Sequence, residues 1–285
     1  MVNNRMPTWP ARENIGPRYL DGAQASEHPE AVLVVGQSAA GKSVVVESLC
    51  MGFQTDGQCV VIDEEELLWQ HPEIHRDPDD AITEDELRYL KIQVSALADE
   101  IADAAIRRRL HIVIETRMGE GEAVPQQLSH LRTFGYRTTV VLLCVPPEIS
   151  RASHVLRDEH LFEETGETRL CEPDTHRECE QLAESTWEIL HRGLADHFLV
   201  IDRAGNILWS SEGDVTGSVG PVVDLLSEVY GLTELTSGGR VPGPENQTDS
   251  LKSAPGNSPT EEPDGERSQL LRAISQMAAS ERIVD

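Results

Sequence analysis

The stretch Ala31-Val32-Leu33-Val34-Val35-Gly36-Gln37-Ser38-Ala39-Ala40-Gly41-Lys42-Ser43 decides the fold. Its first five residues are apolar and mostly β-branched, which suits a strand covered on both faces, as in a parallel sheet. The next eight fit G-x-x-x-x-G-K-S/T, the phosphate-cradling loop. Glycines at both ends let successive backbone N–H groups turn inward around phosphate oxygens. In such a loop Lys42 reaches the β- and γ-oxygens of a nucleotide and Ser43 offers its hydroxyl to Mg²⁺. Ser43 to Met51 reads as the helix whose positive end completes the cradle. Gly36, Gln37, Ser38, Ala39, Ala40, Gly41, Lys42 and Ser43 are therefore the candidate ATP-binding residues, with ATP and Mg²⁺ implied. Lys42 is expected in an exposed loop, packed against nothing.

Working outward, Cys59-Val60-Val61-Ile62 is a second buried-strand candidate, ending at Asp63. Thr83 and Glu86 have capping-box spacing, and Leu87, Leu90, Val94, Leu97, Ile101 and Ala105 share one face of a helix running to about Arg109. His111 to Ile114 reads as a third strand, ending at Glu115. A helix from Val124 to Phe134 leads into a fourth, Thr138 to Val145, stopped by Pro146-Pro147. A polar helical stretch then carries Arg151 and Arg157. Cys179 to Ala195 reads as a further helix, Phe198 to Asp202 as a fifth strand, and 203–206 as a turn into Ile207-Leu208-Trp209. Strands alternating with helices predict an α/β fold: a P-loop NTPase-type, mostly parallel sheet flanked by helices, with ligands at the carboxyl ends of the strands.

Those ends carry the chemistry. Phosphoryl transfer to a hydroxyl needs one carboxylate beside the metal and another to orient or deprotonate the acceptor. Asp63 and Glu65, alternating just past a strand end, suit those roles, although an acid-rich first helical turn is also favoured by the helix dipole alone. Glu115, Thr116 and Arg117 bring an acid, a hydroxyl and a guanidinium to the next strand end, a set that suits a polyhydroxylated acceptor. Arg157 and Arg169 are candidates to neutralise the charge spread over the transferring phosphoryl oxygens.

Composition narrows the partners. Among 285 residues, 50 are acidic and 24 basic, for a net charge of -26. So acidic a chain is a poor ligand for nucleic acid or an anionic membrane, both of which need neutralising Lys and Arg. No apolar run approaches the ~20 residues of a membrane span. The start, Met1 to Arg5, lacks the apolar core of a signal peptide. Five cysteines without C-x-x-C pairing read as reduced thiols, and a cytoplasmic location is expected. The domain organisation expected is an irregular lead-in over 1–30, a kinase domain over 31–235, and an acidic, disordered C-terminal tail over 236–285. Ser237 to Arg267 is rich in Gly, Pro, Ser and Glu. Leu270, Leu271, Ile274 and Met277 have the spacing of a short amphipathic helix within the tail.

The ordered set of motifs resembles the zeta toxin family, kinases of UDP-N-acetylglucosamine. The resemblance covers about Ala31 to Ser211. It runs from the loop Gly36–Ser43 through Ile62-Asp63-Glu64-Glu65 with His71-Pro72, and then Val113-Ile114-Glu115-Thr116. Val145-Pro146-Pro147, Leu156-Arg157, Arg169 with Pro173 and His176, and Asp202-Arg203-Ala204-Gly205 follow. It implies that Glu65, at the second acid of the family's Asp-x-Asp, is the catalytic base. It further implies that Lys42 and Ser43 hold ATP and Mg²⁺, that Glu115 and Thr116 contact the sugar, and that Arg157 and Arg169 contact the phosphate. A small antitoxin protein is an implied partner. Glu65 stands where the family has Asp, Glu115-Thr116 shortens a Glu-Gly-Thr, and Pro173 and His176 are shifted by one residue. The departures all touch the acceptor side, so another small acceptor (a nucleoside, an antibiotic or a dinucleotide) stays open. So does a nucleotide-binding interaction module without kinase activity.

Overall fold

A computed structural model describes residues 18–53, 58–74, 82–117, 123–165, 174–211 and 219–232. The element order is β1 (Glu30–Gly36), α1 (Lys42–Phe53), β2 (Val60–Asp63), α2 (Glu64–Trp69), α3 (Glu84–Arg107), β3 (Ile112–Thr116), α4 (Ala123–Thr133), β4 (Arg137–Leu143), α5 (Pro147–Thr165), α6 (Thr175–His191), β5 (His197–Ile201), β6 (Ile207–Ser210) and α7 (Val219–Tyr230). The expected tail, including its Leu270–Met277 helix, lies outside the described residues.

The strands form one sheet in the order β2-β3-β1-β4-β5-β6. All neighbours are parallel except β5 and β6, which pair antiparallel at the edge. The apolar run of β1 explains its central place. Alternate side chains leave a strand on opposite faces, and both faces here are covered. Leu33 and Val35 pack into the larger core with Ile101, Ile112, Leu128, Leu182 and Val222. Val32 and Val34 pack on the other face with Val45, Leu49 and Phe53 of α1, and with Val113, Val141 and Leu199. The lead-in is not wholly peripheral, because Leu20 and Ala23 are buried in the larger core.

The chain leaves β1 to build β2 and β3 on one side, then returns to place β4 and β5 on the other. The P-loop thus sits at the carboxyl end of the strand from which the winding reverses, the place where open α/β sheets bind ligands. Glycine suits two positions there. At Gly36 an added Cβ would lie 3.2 Å from Leu143 Cβ, and Gly41 has φ +102°, in the region that favours glycine. α6 begins at Thr175, four residues earlier than its apolar pattern predicts, because Asp174 accepts the Arg177 N–H and caps it. It ends at His191 rather than Ala195, since Gly193 turns the chain with φ +57°. No helix among the described residues is long and apolar enough to cross a membrane.

Candidate active site

Lys42 is the second-last residue of the loop motif and the first of α1, and here the structure corrects an expectation. Its side chain is buried, only 5% exposed, rather than extended into an open loop. Nζ donates to Gln37 O at 2.9 Å, folding the side chain back over the loop it belongs to. Glu115 Oε1 lies 3.8 Å away. Burial holds the ammonium below the usual lysine range, against the opposing pull of Glu115 and Glu65. Glu115 is pushed up in turn, first by burial and then by Asp63, despite the lysine beside it. Desolvation outweighs attraction for both partners, so each lacks solvation that a polar ligand could restore.

The strand register explains why the acids meet. β2 and β3 pair so that Asp63 lies beside Glu115, and Val34 of β1 pairs with Glu115 on the other side. Ser43 Oγ is 3.5 Å from Glu115 Oε1, closing a group of Ser43, Lys42, Glu115 and Asp63 at the loop mouth. Asp63 is also the N-cap of α2, its Oδ1 accepting from Glu65 N at 2.8 Å and Glu66 N at 3.2 Å. Its carboxyl is nevertheless pushed up, because burial exceeds the effect of those two donors. Glu65 is the second residue of α2, and Arg157 of α5 donates to its Oε1 at 3.4 Å, each side chain about one-third exposed. Residues 92 positions apart in sequence, assigned as base and phosphate contact, are thus neighbours in the fold.

Thr116 is the last residue of β3, half-buried, and Arg117 follows it with an exposed side chain. Arg117 turns toward the P-loop: Nη1 donates to Ser38 Oγ at 3.2 Å and lies 3.6 Å from Glu178 Oε1. Arg169 lies outside the described residues.

The loop is held by residues its motif does not predict. Glu178 of α6 accepts the Ser38 N–H at 2.9 Å, and Ser150 of α5 donates its hydroxyl to Ser38 O. All three polar groups of Ser38 are therefore engaged, by α5, α6 and the end of β3. Gln37 is fully buried and donates to Val145 O at 2.8 Å. Ala39 sits at φ 57°, an unfavourable conformation for a residue with a Cβ, and this surrounding network holds it there. The sequence signals for Glu178 and Ser150 are weak, since a single Glu on an amphipathic helix and a Ser after Pro-Pro have many structural explanations.

Among the described residues no three His, Cys, Asp or Glu side chains are grouped to hold a metal by themselves. Mg²⁺ in phosphoryl transfer takes one or two carboxylates and completes its shell with phosphate and water. A hydroxyl beside two carboxyls, both pushed up chiefly by burial, fits such an ion.

The fold and the motifs have known counterparts. The family model described as Zeta toxin matches residues 17–214. Toxin PezT of Streptococcus pneumoniae serotype 4 (strain ATCC BAA-334 / TIGR4) is 22% identical over 207 residues, 72% of this chain and 81% of that one. Among solved structures, one from the PezAT chromosomal toxin-antitoxin system of Streptococcus pneumoniae is similar with a TM-score of 0.63. Its chain is 22% identical, over 77% of this chain and 84% of that one. A second is AvrRxo1-ORF1:-ORF2 with ATP, with a TM-score of 0.51 and 15% identity, over 80% of this chain and 69% of that one. At these identities the structural likeness establishes a shared fold.

Proposed function

The chain belongs to the zeta toxin family, a family of kinase-like phosphotransferases, and from that premise we propose that it transfers the γ-phosphate of ATP to a sugar hydroxyl of UDP-N-acetylglucosamine or a related nucleotide sugar. The observation that carries the proposal is the buried Lys42 at 3.8 Å from Glu115, with the Glu65–Arg157 pair beside the same strand ends. The ATP in a structure of the same fold supports the nucleotide.

In this reading the backbone N–H groups from Gly36 to Ser43 cradle the phosphates, and Lys42 exchanges Gln37 O for the β- and γ-oxygens. Ser43 and Asp63 would hold Mg²⁺, which when bound would supply neutralisation of the phosphate charge. Glu115 and Thr116 orient the acceptor, and Arg117 offers positive charge to its diphosphate in an otherwise acidic body. Glu65 takes the proton of the attacking hydroxyl, and Arg157 moves from Glu65 to the transferring phosphoryl group. Arg169 is assigned the same phosphate-neutralising role. Residues 31–235 form the kinase domain, with 1–30 as its lead-in and 236–285 as an appended tail. A small antitoxin protein, as the PezAT relative's description suggests, is the proposed protein partner, and the cytoplasm the proposed location.

The test incubates purified protein with ATP, Mg²⁺ and UDP-N-acetylglucosamine and reads the sugar nucleotide by mass spectrometry. A gain of one phosphate, strongly reduced in Glu115→Ala while ATP binding persists, is the expected result. ATP consumption with UDP-N-acetylglucosamine unmodified would keep the kinase and reject the acceptor. No consumption with any candidate acceptor would reject both.

A further inference from the structure

The mechanism above leaves one pair of reactive groups unused. Cys50 lies near the end of α1 and Cys59 immediately before β2. Their sulfurs are 2.9 Å apart, with the Cys59 thiol donating to Cys50 Sγ. A disulfide has S–S of about 2.04 Å, so closure needs an approach of roughly 0.9 Å. Neither thiol meets the other on a loose segment. Cys50 is on a helix packed on the sheet, Cys59 precedes a residue whose N–H bonds to His111 O at 2.8 Å, and both touch the Val32–Val34 side of the core. Both are half-buried, whereas Cys144 and Cys179 are fully buried and shielded from solutes. Among the four cysteines of the described residues, geometry and access single out the same pair.

We propose that Cys50 and Cys59 are an oxidative modification site, a dithiol that low-molecular-weight disulfides of the glutathione type convert reversibly to an intramolecular disulfide. The Cys50 thiolate attacks one sulfur of oxidised glutathione. The S–S bond breaks, one glutathione thiolate leaves, and a mixed disulfide forms on Cys50. Cys59 then loses its proton to solvent and its thiolate attacks Cys50 Sγ, expelling the second glutathione thiolate. In balance, two protein thiols and one glutathione disulfide become one protein disulfide and two glutathione thiols, with two electrons passing from protein to glutathione. The hydrogen bond from Cys59 sets the order of events, because it stabilises the Cys50 thiolate and holds that thiol below the usual range. The same bond, with burial, pushes Cys59 up, which suits a resolving thiol that acts second.

The bridge would join two elements that carry the proposed site at their other ends. α1 begins with Lys42 and Ser43, and β2 ends at Asp63. The inference stands apart from the kinase reading, since it needs neither ATP nor an acceptor to be tested.

The experiment equilibrates the full chain in reduced and oxidised glutathione, quenches with an alkylating reagent under denaturing conditions, and reads intact mass and bridged peptides. The expected product has lost two hydrogens, carries its bridge between Cys50 and Cys59, and regains both thiols in dithiothreitol. Cys59→Ser is expected to stop at one glutathione on Cys50, and Cys50→Ser to lose the bridge. Both thiols alkylated at saturating oxidised glutathione would overturn the proposal. So would a bridge mapped to other cysteines, or a wild-type mixed disulfide that never resolves.

Discussion

Lys42 carries its charge where the charge is costly. Burial disfavours the ammonium, and its nearest counter-ion, Glu115, is itself held partly against ionisation. A buried charge of this kind is retained for what it binds, because apolar replacements of buried ion pairs are often neutral or stabilising. Lys42→Met keeps the stem and drops the charge. Its expected outcome is loss of detectable phosphoryl transfer in a variant that still folds, because Glu115, already pushed up by burial, can take a proton once its partner is removed. Wild-type turnover in the folded variant would end the assignment of this loop. The two acids past β2 separate in the same way. Asp63 is committed through one oxygen to the α2 cap, and Asn keeps a capping oxygen, so Asp63→Asn leaves the helix start intact. Glu65 instead meets Arg157, and Glu65→Gln keeps the side chain's shape while removing its charge and its ability to take a proton. Turnover in Glu65→Gln is expected to fall by ~10²–10⁴ with ATP affinity nearly unchanged. A silent Glu65→Gln beside a severe Asp63→Asn would transfer the base to Asp63.

At the scale of elements, what was legible was what local chemistry dictates. The Thr83–Glu86 capping box appears with both its bonds, Glu86 N to Thr83 Oγ1 at 3.3 Å and Thr83 N to Glu86 Oε2 at 3.0 Å. Since α3 packs on the sheet face opposite α1 and Thr83 is its N-cap, Thr83→Ala tests a cap rather than an assigned site residue. It is expected to lower unfolding free energy by about 1 kcal/mol in chemical denaturation, leaving turnover unchanged. A loss of turnover without a loss of stability would show that α3 does more than cover the sheet. The central strands were legible because successive residues such as Val34 and Val35, or Val140 and Val141, are apolar toward opposite faces of a parallel sheet. Two helices were not singled out as elements. α2 is only six residues long, its acidic start reading equally as chemistry or as helix dipole. α7 buries Val222, Leu226 and Tyr230 between segments with little pattern of their own. The site divides along the same line. Gly36–Ser43 is local and was readable, whereas Glu178 meets Ser38 across 140 positions and Arg157 meets Glu65 across 92. Only the placement of α5 and α6 beside the loop and α2 creates those contacts.

For the molecule as a whole, charge governs the response to pH. The chain carries -26 at neutral pH, and compacting that many like charges costs free energy that acidification relieves. The shifted carboxyls act in the same direction. Asp63, Glu64, Asp99 and Glu115 are all pushed up, each chiefly by burial. Between the ordinary carboxylate range near pH 4 and their raised native values, the folded chain binds more protons than the unfolded one. Stability must then fall as pH rises through that window and increase as pH descends into it. The melting temperature is therefore expected to rise as pH descends from neutrality toward the ordinary carboxylate range, rather than to decline as acid-sensitive ion pairs would dictate. Glu115→Gln and Asp63→Asn should each flatten the slope, because each removes one group that takes up a proton on folding. Mg²⁺ with ATP should flatten it too, by favouring the ionised acids at the loop mouth. A melting temperature that falls steadily over this range, equally in wild type and in Glu115→Gln, would mean that burial does not govern these carboxyls and that the attraction between Lys42 and Glu115 outweighs it.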